Sequence, residues 1–206
     1  MAHKSQAKDD VRVRRSHQRV RQAVFDLTVE KGFAAVTVSD IAARAQVNRS
    51  TFYRHFLDKH DVVRRYLDEV QVLAARRAAA QVGQPRPGAE HIPAGLLALL
   101  QEIQERARFF KVMLGKQGDP AFAHRFRHIT EKRYRLLFAA GGQQAASSSL
   151  PVDLRVAYIA HATLGALLWW LENGQPISVE QLAIDLGRLN LTAAGTVMSP
   201  TGPSQR

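Results

Sequence analysis

The stretch Thr37-Val-Ser-Asp-Ile-Ala-Ala-Arg-Ala-Gln-Val-Asn-Arg-Ser-Thr-Phe-Tyr-Arg-His-Phe-Leu-Asp-Lys59 decides the fold. Its opening, Thr37-Val-Ser-Asp40, has the form of a capping box: Thr37 accepts a hydrogen bond from a first-turn N–H, and Asp40 reaches back to favour the positive helix end. The spacing predicts a short helix over 38–45, a turn at Gln46-Val47-Asn48, and a second short helix over 49–56 capped by Asn48. Ile41, Val47, Phe52 and Phe56 form the core of such a helix-turn-helix. The second helix then presents Arg49, Ser50, Thr51, Tyr53, Arg54 and His55 outward, a set that mixes base-edge donors with phosphate-contacting groups. A DNA major groove admits one helix of this kind, and a good bidentate arginine–guanine pair contributes about 1 to 3 kcal/mol of discrimination.

Upstream, Val20, Val24 and Leu27, widened by Ala23 and Phe25, set an apolar stripe on a first helix over 12–31, and Gly32 is its natural stop. Downstream, a long helix is expected over 59–82, ended by Gly83-Gln-Pro-Arg-Pro-Gly88. Further helices fit 91–106, 107–115, 120–140, 152–173 and 179–191, the last opened by a second capping box, Ser178-x-x-Gln181, and carrying Leu182, Leu186 and Leu189. Apolar residues recur at three and four throughout and strand-like alternation is missing, so the chain reads as all-α. The expected organisation is an N-terminal arm and DNA-binding three-helix bundle over 1–58, and a larger helical effector-binding and dimerisation domain over 59–192. A loop is expected over 141–149 and a disordered tail over 193–206.

Composition narrows the function. The chain has 206 residues, 46% of them apolar, enough for one sizeable core and a smaller satellite. It contains no cysteine, which excludes a disulfide framework, a thiolate zinc finger and a cysteine nucleophile and fits a cytoplasmic protein. The polar, basic start is no targeting segment, and the apolar stretch over 156–171 is interrupted by His161 and Thr163 and reads as a doubly buried helix rather than a membrane span. The net charge of +11 suits a polyanionic partner, and the first 60 residues are the denser in charge, with 12 Lys and Arg against 6 Asp and Glu. Lys4, Lys8, Arg12, Arg14 and Arg15 make the start either a basic arm for an adjacent minor groove or a solvated tail.

At the residues quoted, the chain resembles the TetR family of regulators, whose signature pairs a Thr-x-x-Asp-Ile-Ala helix with a recognition helix ending Thr-Phe-Tyr-x-His-Phe, then Lys. The Gly32-Phe33 stop, Thr37, Phe52-Tyr53, His55-Phe56 and Lys59 carry the resemblance, which extends over 20–63. It implies that Thr37, Tyr53, His55 and Lys59 hold phosphates and that Ser39, Arg49, Ser50 and Arg54 lie nearest base edges. Two positions depart from the pattern. Gln46 stands where the family often has glycine, so a left-handed backbone there costs about 1 kcal/mol. Thr28 stands where the family is often aromatic, with Phe25 able to fill the gap.

The resemblance also implies a homodimer on an inverted-repeat operator, formed by the last two helices of each chain as a four-helix bundle, with Trp169-Trp170-Leu-Glu-Asn-Gly174 resembling the end of the first of them. A small-molecule effector would shift the helix that begins near Lys59 and release DNA, repression being the family default. Phe109, Phe110, Met113, Tyr134, Tyr158, His161, Thr163 and Trp169 are the candidate effector contacts, apolar walls with a few polar handles. His124, His128 and Glu131 have metal-compatible spacing but read as exposed, unliganded side chains; no metal, cofactor or catalytic constellation is expected, so the chain is no enzyme. The competing expectation is an architectural protein that binds DNA without sequence preference or an effector switch.

Overall fold

The computed structural model describes residues 2–80, 94–140 and 150–193, and the expected 141–149 loop and nearly all of the expected tail lie outside these residues. Among the described residues every regular element is helical: α1 (Ala2–Lys31), a 3-10 turn (Phe33–Ala35), α2 (Val38–Ala45), α3 (Arg49–His55), α4 (Lys59–Ala80), α5 (Ala94–Glu105), α6 (Ala107–Leu114), α7 (Pro120–Ala140), α8 (Val152–Glu172) and α9 (Val179–Ala193). The all-α expectation holds. The largest difference is at the start, where the backbone is helical from Ala2 rather than from residue 12. The apolar stripe begins only near Val20, but no proline or glycine precedes it, so nothing in the chain breaks the helix earlier.

Two compact units organise these helices, one drawn from Met1–Leu73 and Glu102–His124, the other from Ala74–Gln101 and Arg125–Arg206. The first unit joins the α5–α6 region to the N-terminal helices, for an aromatic reason. In the first unit Phe25 of α1 packs against Phe109 of α6 with ring centroids 4.4 Å apart and against Tyr66 of α4 at 4.8 Å. Phe110 and Phe122 extend the same cluster. Tyr66 donates its hydroxyl to Glu102, burial raising the phenol well above its ordinary pKa, and Arg106 binds Glu102 while stacking over Phe25 and Tyr66. The α5–α6 corner is thus part of the N-terminal core.

Gly32 ends α1 with φ 76°, a left-handed value, and donates its N–H to Thr28 O at 3.0 Å. Thr28 is fully buried, and its hydroxyl finds no hydrogen-bond partner among the described residues. A buried, unpaired hydroxyl costs about 1 to 3 kcal/mol, so Thr28→Val, which keeps the shape, is expected to raise stability by about 1 kcal/mol. A thermal melt checks this; a lower transition would mean that the hydroxyl is satisfied.

In the second unit, Val156, Ile159, Leu167 and Trp170 of α8 and Leu182 and Leu186 of α9 are buried, and Trp170 donates its indole N–H to Ile177 O at 2.9 Å. Leu189, expected on the same face, is exposed. Ser178 caps α9 by accepting from Gln181 N at 3.1 Å, yet the reciprocal half of the box is missing because the Gln181 amide turns to Asp185. Close approach fixes one glycine here: a Cβ on Gly95 would sit 2.7 Å from Ala74 O. By length and composition α8 could cross a membrane, a test that core helices of soluble proteins also pass. Within one chain it is buried on one face, and Leu154, Tyr158, His161, Ala162, Gly165 and Trp169 remain exposed along the other, the face expected to meet a second subunit.

Candidate nucleic-acid interface

The capping box at the start of α2 is complete. Asp40 N donates to Thr37 Oγ1 at 3.2 Å, and Thr37 donates its N–H at 2.9 Å and its hydroxyl at 2.6 Å to Asp40 Oδ2. Lys31 adds its ammonium at 2.7 Å, and this bond, followed by those from Thr37, holds the Asp40 carboxyl far below the usual carboxylate range. Arg44 forks onto Glu30 at 2.7 and 2.8 Å, tying α2 to α1. Gln46 closes α2 in the left-handed conformation, φ 53° and ψ 47°, so the strain expected there is present. Its side chain accepts from Arg19 at 2.7 Å. Asn48 occupies the cap position of α3 but makes no side-chain capping bond.

The seven residues of α3 divide cleanly. Phe52 is buried and Phe56 follows it into the core with Ile41, while Val47 is only half-buried. Arg49, Ser50, Tyr53 and Arg54 are exposed, Thr51 and His55 partly so, and Ser39 of α2 is exposed as well. His55 meets the ring of His17 from α1 at 4.8 Å, and His17 also packs on Phe56 at 4.9 Å. Burial, then the neighbouring His55 and Arg65, push the His17 pKa below the ordinary histidine value. His17 and Arg19 were not singled out as part of the interface; their contacts to α3 and the turn join residues far apart in sequence, and no local spacing announces them.

Two expected phosphate ligands are already engaged. Lys59 donates to Phe33 O at 2.8 Å, Ala34 O at 3.1 Å and Val36 O at 2.9 Å, which uses all three ammonium protons. Thr37 has committed both its N–H and its hydroxyl to Asp40. Lys59 thus ties down the 3-10 turn and Thr37 caps α2.

The eight candidate effector contacts do not converge. Phe109, Phe110 and Met113 are fully packed in the first unit. Tyr158 and Trp169 are exposed on the outer face of α8, as is His161, whose Nδ1 bonds back to Ala157 O at 2.8 Å. Tyr134 and Thr163 do meet, through Asn190, which donates to Tyr134 Oη at 2.7 Å and to Thr163 Oγ1 at 3.3 Å. Spacing alone placed these aromatics in one group because it cannot separate a core face from an exposed one on helices that are apolar on several sides. An open cleft of about 600 Å³ lies instead in the first unit, where Phe25 and Val29 of α1, Arg44 of α2, and Arg106 and Phe109 at the α5–α6 corner line it. His128 lies 4.0 Å from Glu131, and among the described residues no three metal-ligating side chains cluster.

Comparison with known proteins agrees with this architecture. Residues 22–66 match the family described as bacterial regulatory proteins, tetR family, and residues 90–190 match a transcriptional regulator C-terminal region. The HTH-type transcriptional regulator YxbF of Bacillus subtilis, itself uncharacterised, is 21% identical over 181 residues, covering 84% of this chain and 44% of its own length. This chain therefore spans less than half of that relative. The HTH-type transcriptional repressor Rv3405c of Mycobacterium tuberculosis is 43% identical over 51 residues, covering 25% of this chain and 27% of the repressor. Among solved structures, the dihydroxyacetone kinase operon activator DhaS superposes with a TM-score of 0.64 at 21% identity, covering 89% of this chain and 98% of DhaS, a likeness of fold. With the helix-turn-helix and the helical C-terminal region both matched, the chain belongs to the TetR family of bacterial regulatory proteins.

Proposed function

We propose that the chain is a sequence-specific DNA-binding transcriptional regulator that works in the cytoplasm as a homodimer, a repressor released from a palindromic operator by a small-molecule effector. One observation carries this reading: α3 turns Phe52 inward and leaves Arg49, Ser50, Tyr53 and Arg54 on an exposed face. Those side chains supply the donors that base edges and phosphates accept, and two such helices in a two-fold dimer would enter successive major grooves. Ser39, Thr51 and His55 flank them.

The exposed apolar face of α8 supports the dimer, since a contiguous apolar stripe of this kind ordinarily meets a partner. For the effector, the Tyr134–Asn190–Thr163 cluster offers polar handles inside an apolar unit. An effector releases DNA only if it binds the released conformation more tightly than the DNA-bound one. The direction of regulation rests on the family default and on Rv3405c, a repressor, while DhaS is an activator.

Selection from a random DNA library at physiological salt tests the reading, with wild type and Arg54→Ala compared. The wild type is expected to recover an inverted repeat. The variant should lose preference at one defined base pair in each half-site, by roughly tenfold, or about 1 to 3 kcal/mol for a bidentate guanine contact. Recovery of no motif would favour an architectural DNA-binding protein instead.

A further inference from the structure

In the second unit, Phe126 and Thr130 set the buried face of α7. Continuing that face by three and four residues reaches Arg133 and Tyr134, so a cation stands where the helix has so far presented core residues. Arg133 is only partly exposed. Among the described residues it makes no ion pair or hydrogen bond, and Tyr134 is the one titratable group whose charge it feels. Burial pushes its pKa below the ordinary arginine value, yet a guanidinium stays protonated at any physiological pH, so the charge is not shed. A cation drawn out of water without an acid beside it is costly, and an incoming anion would offset that cost.

Tyr134 is aimed by its neighbours. Asn190, buried on α9, donates its amide to Tyr134 Oη at 2.7 Å and to Thr163 Oγ1 of α8 at 3.3 Å. Because Tyr134 accepts in that bond, its own hydroxyl proton is left for an acceptor outside the cluster. Burial raises the Tyr134 pKa and the Arg133 charge opposes the rise, so the cation and the phenol share one electrostatic environment. Both side chains keep part of their surface open to solvent, and the ring of Phe138 lies 6.4 Å from that of Tyr134. A guanidinium and a phenol O–H beside an aromatic wall complement an oxyanion carried on an apolar body. The guanidinium fork matches a planar carboxylate, and one cation balances one negative charge, which favours a carboxylate over a dianionic phosphate ester.

Resting on the effector reading above, we propose that Arg133 and Tyr134 form an anion site in the second unit, and that the effector is an organic acid whose carboxylate they hold. Asn190 and Thr163 are positioning residues, which orient the phenol without touching the ligand.

Calorimetry on the full chain without DNA tests the site, with decanoate and benzoate compared against decanol and benzyl alcohol. At least one acid is expected to bind about tenfold or more tightly than its alcohol, the margin that one charge-assisted hydrogen bond supplies. Arg133→Met keeps the aliphatic bulk, removes the fork and is expected to erase the margin. Lys132→Ala removes the same charge from an exposed neighbour and is expected to leave the margin intact. Tyr134→Phe is expected to shrink it, and decides alone if Arg133→Met does not fold, which circular dichroism reads in the same samples. No margin in wild type, or a margin that survives these two variants, overturns the anion site. Release of the selected operator by the tighter acid tests the effector reading separately: an acid that binds through Arg133 yet leaves the DNA complex intact overturns that reading and not the site.

Discussion

Replacing Lys59 by methionine is expected to lower stability by about 3 kcal/mol, a larger loss than an exposed cation could cause, because charge-assisted hydrogen bonds contribute about 1.5 to 3 kcal/mol each. The ammonium donates to three consecutive-region carbonyls, Phe33 O, Ala34 O and Val36 O, and sits 4.7 Å above the Phe33 ring. Burial pushes its pKa below the ordinary lysine value, which marks a group withdrawn from water and retained for its bonds. Methionine preserves the packing on Phe33 and removes every donor. Water can reach part of the site, which keeps the expected loss below the sum of three buried bonds. Lys59→Arg should recover less than half of it, since a planar guanidinium cannot aim three donors at converging carbonyls. A thermal melt would show the transition falling by roughly 10 °C or more for a unit of this size. An unchanged melt together with a salt slope reduced by about 1 per protomer would return Lys59 to the phosphates.

Trp169→Asp is expected to convert dimers to monomers without lowering the stability of the chain itself. Trp169 is 49% exposed and Tyr158 63% exposed, and both lie on the outer face of α8 with Leu154, Ala162 and Gly165. A Cβ on Gly165 would meet nothing within 4 Å, so this face is open along its middle. Small residues between large apolar ones let a second helix approach closely. An aspartate placed there would be buried unpaired in the assembled interface, at a cost of several kcal/mol. Affinity for a two-half-site operator should then fall at least about a hundredfold, the equivalent of about 3 kcal/mol. Sedimentation velocity and operator titration on one sample separate the outcomes: an intact dimer with full affinity would move the interface away from α8.

Local signals were the legible ones. The Thr37–Asp40 box and the bounds of α2 and α7 were read correctly because their determinants lie within a few residues of one another. Gln46 was legible as a strained position for the same reason. Long-range side-chain geometry was not. Nothing near Lys59 in sequence reveals that the carbonyls of Phe33, Ala34 and Val36 accept from its ammonium. The burial of the candidate effector residues was illegible for the same reason, since Phe109 and Trp169 are equally apolar in sequence but one is core and the other surface. The early start of α1 was missed because periodicity was read from apolar residues, whereas its first turns are specified by helix-forming polar ones. The grouping of α6 with the N-terminal helices follows from Phe25 packing on Phe109, a contact between distant parts of the chain.

The central claim, that α3 reads DNA as one of a two-fold pair, is tested most directly by a hydroxyl-radical and methylation-protection footprint of the wild-type protein on its selected operator. Two equivalent major-groove protections with centres about 34–36 Å apart, one helical turn or a multiple of it, and both lost in Arg54→Ala, are the expected result. A single protected patch, or uniform protection unaffected by the variant, would contradict it.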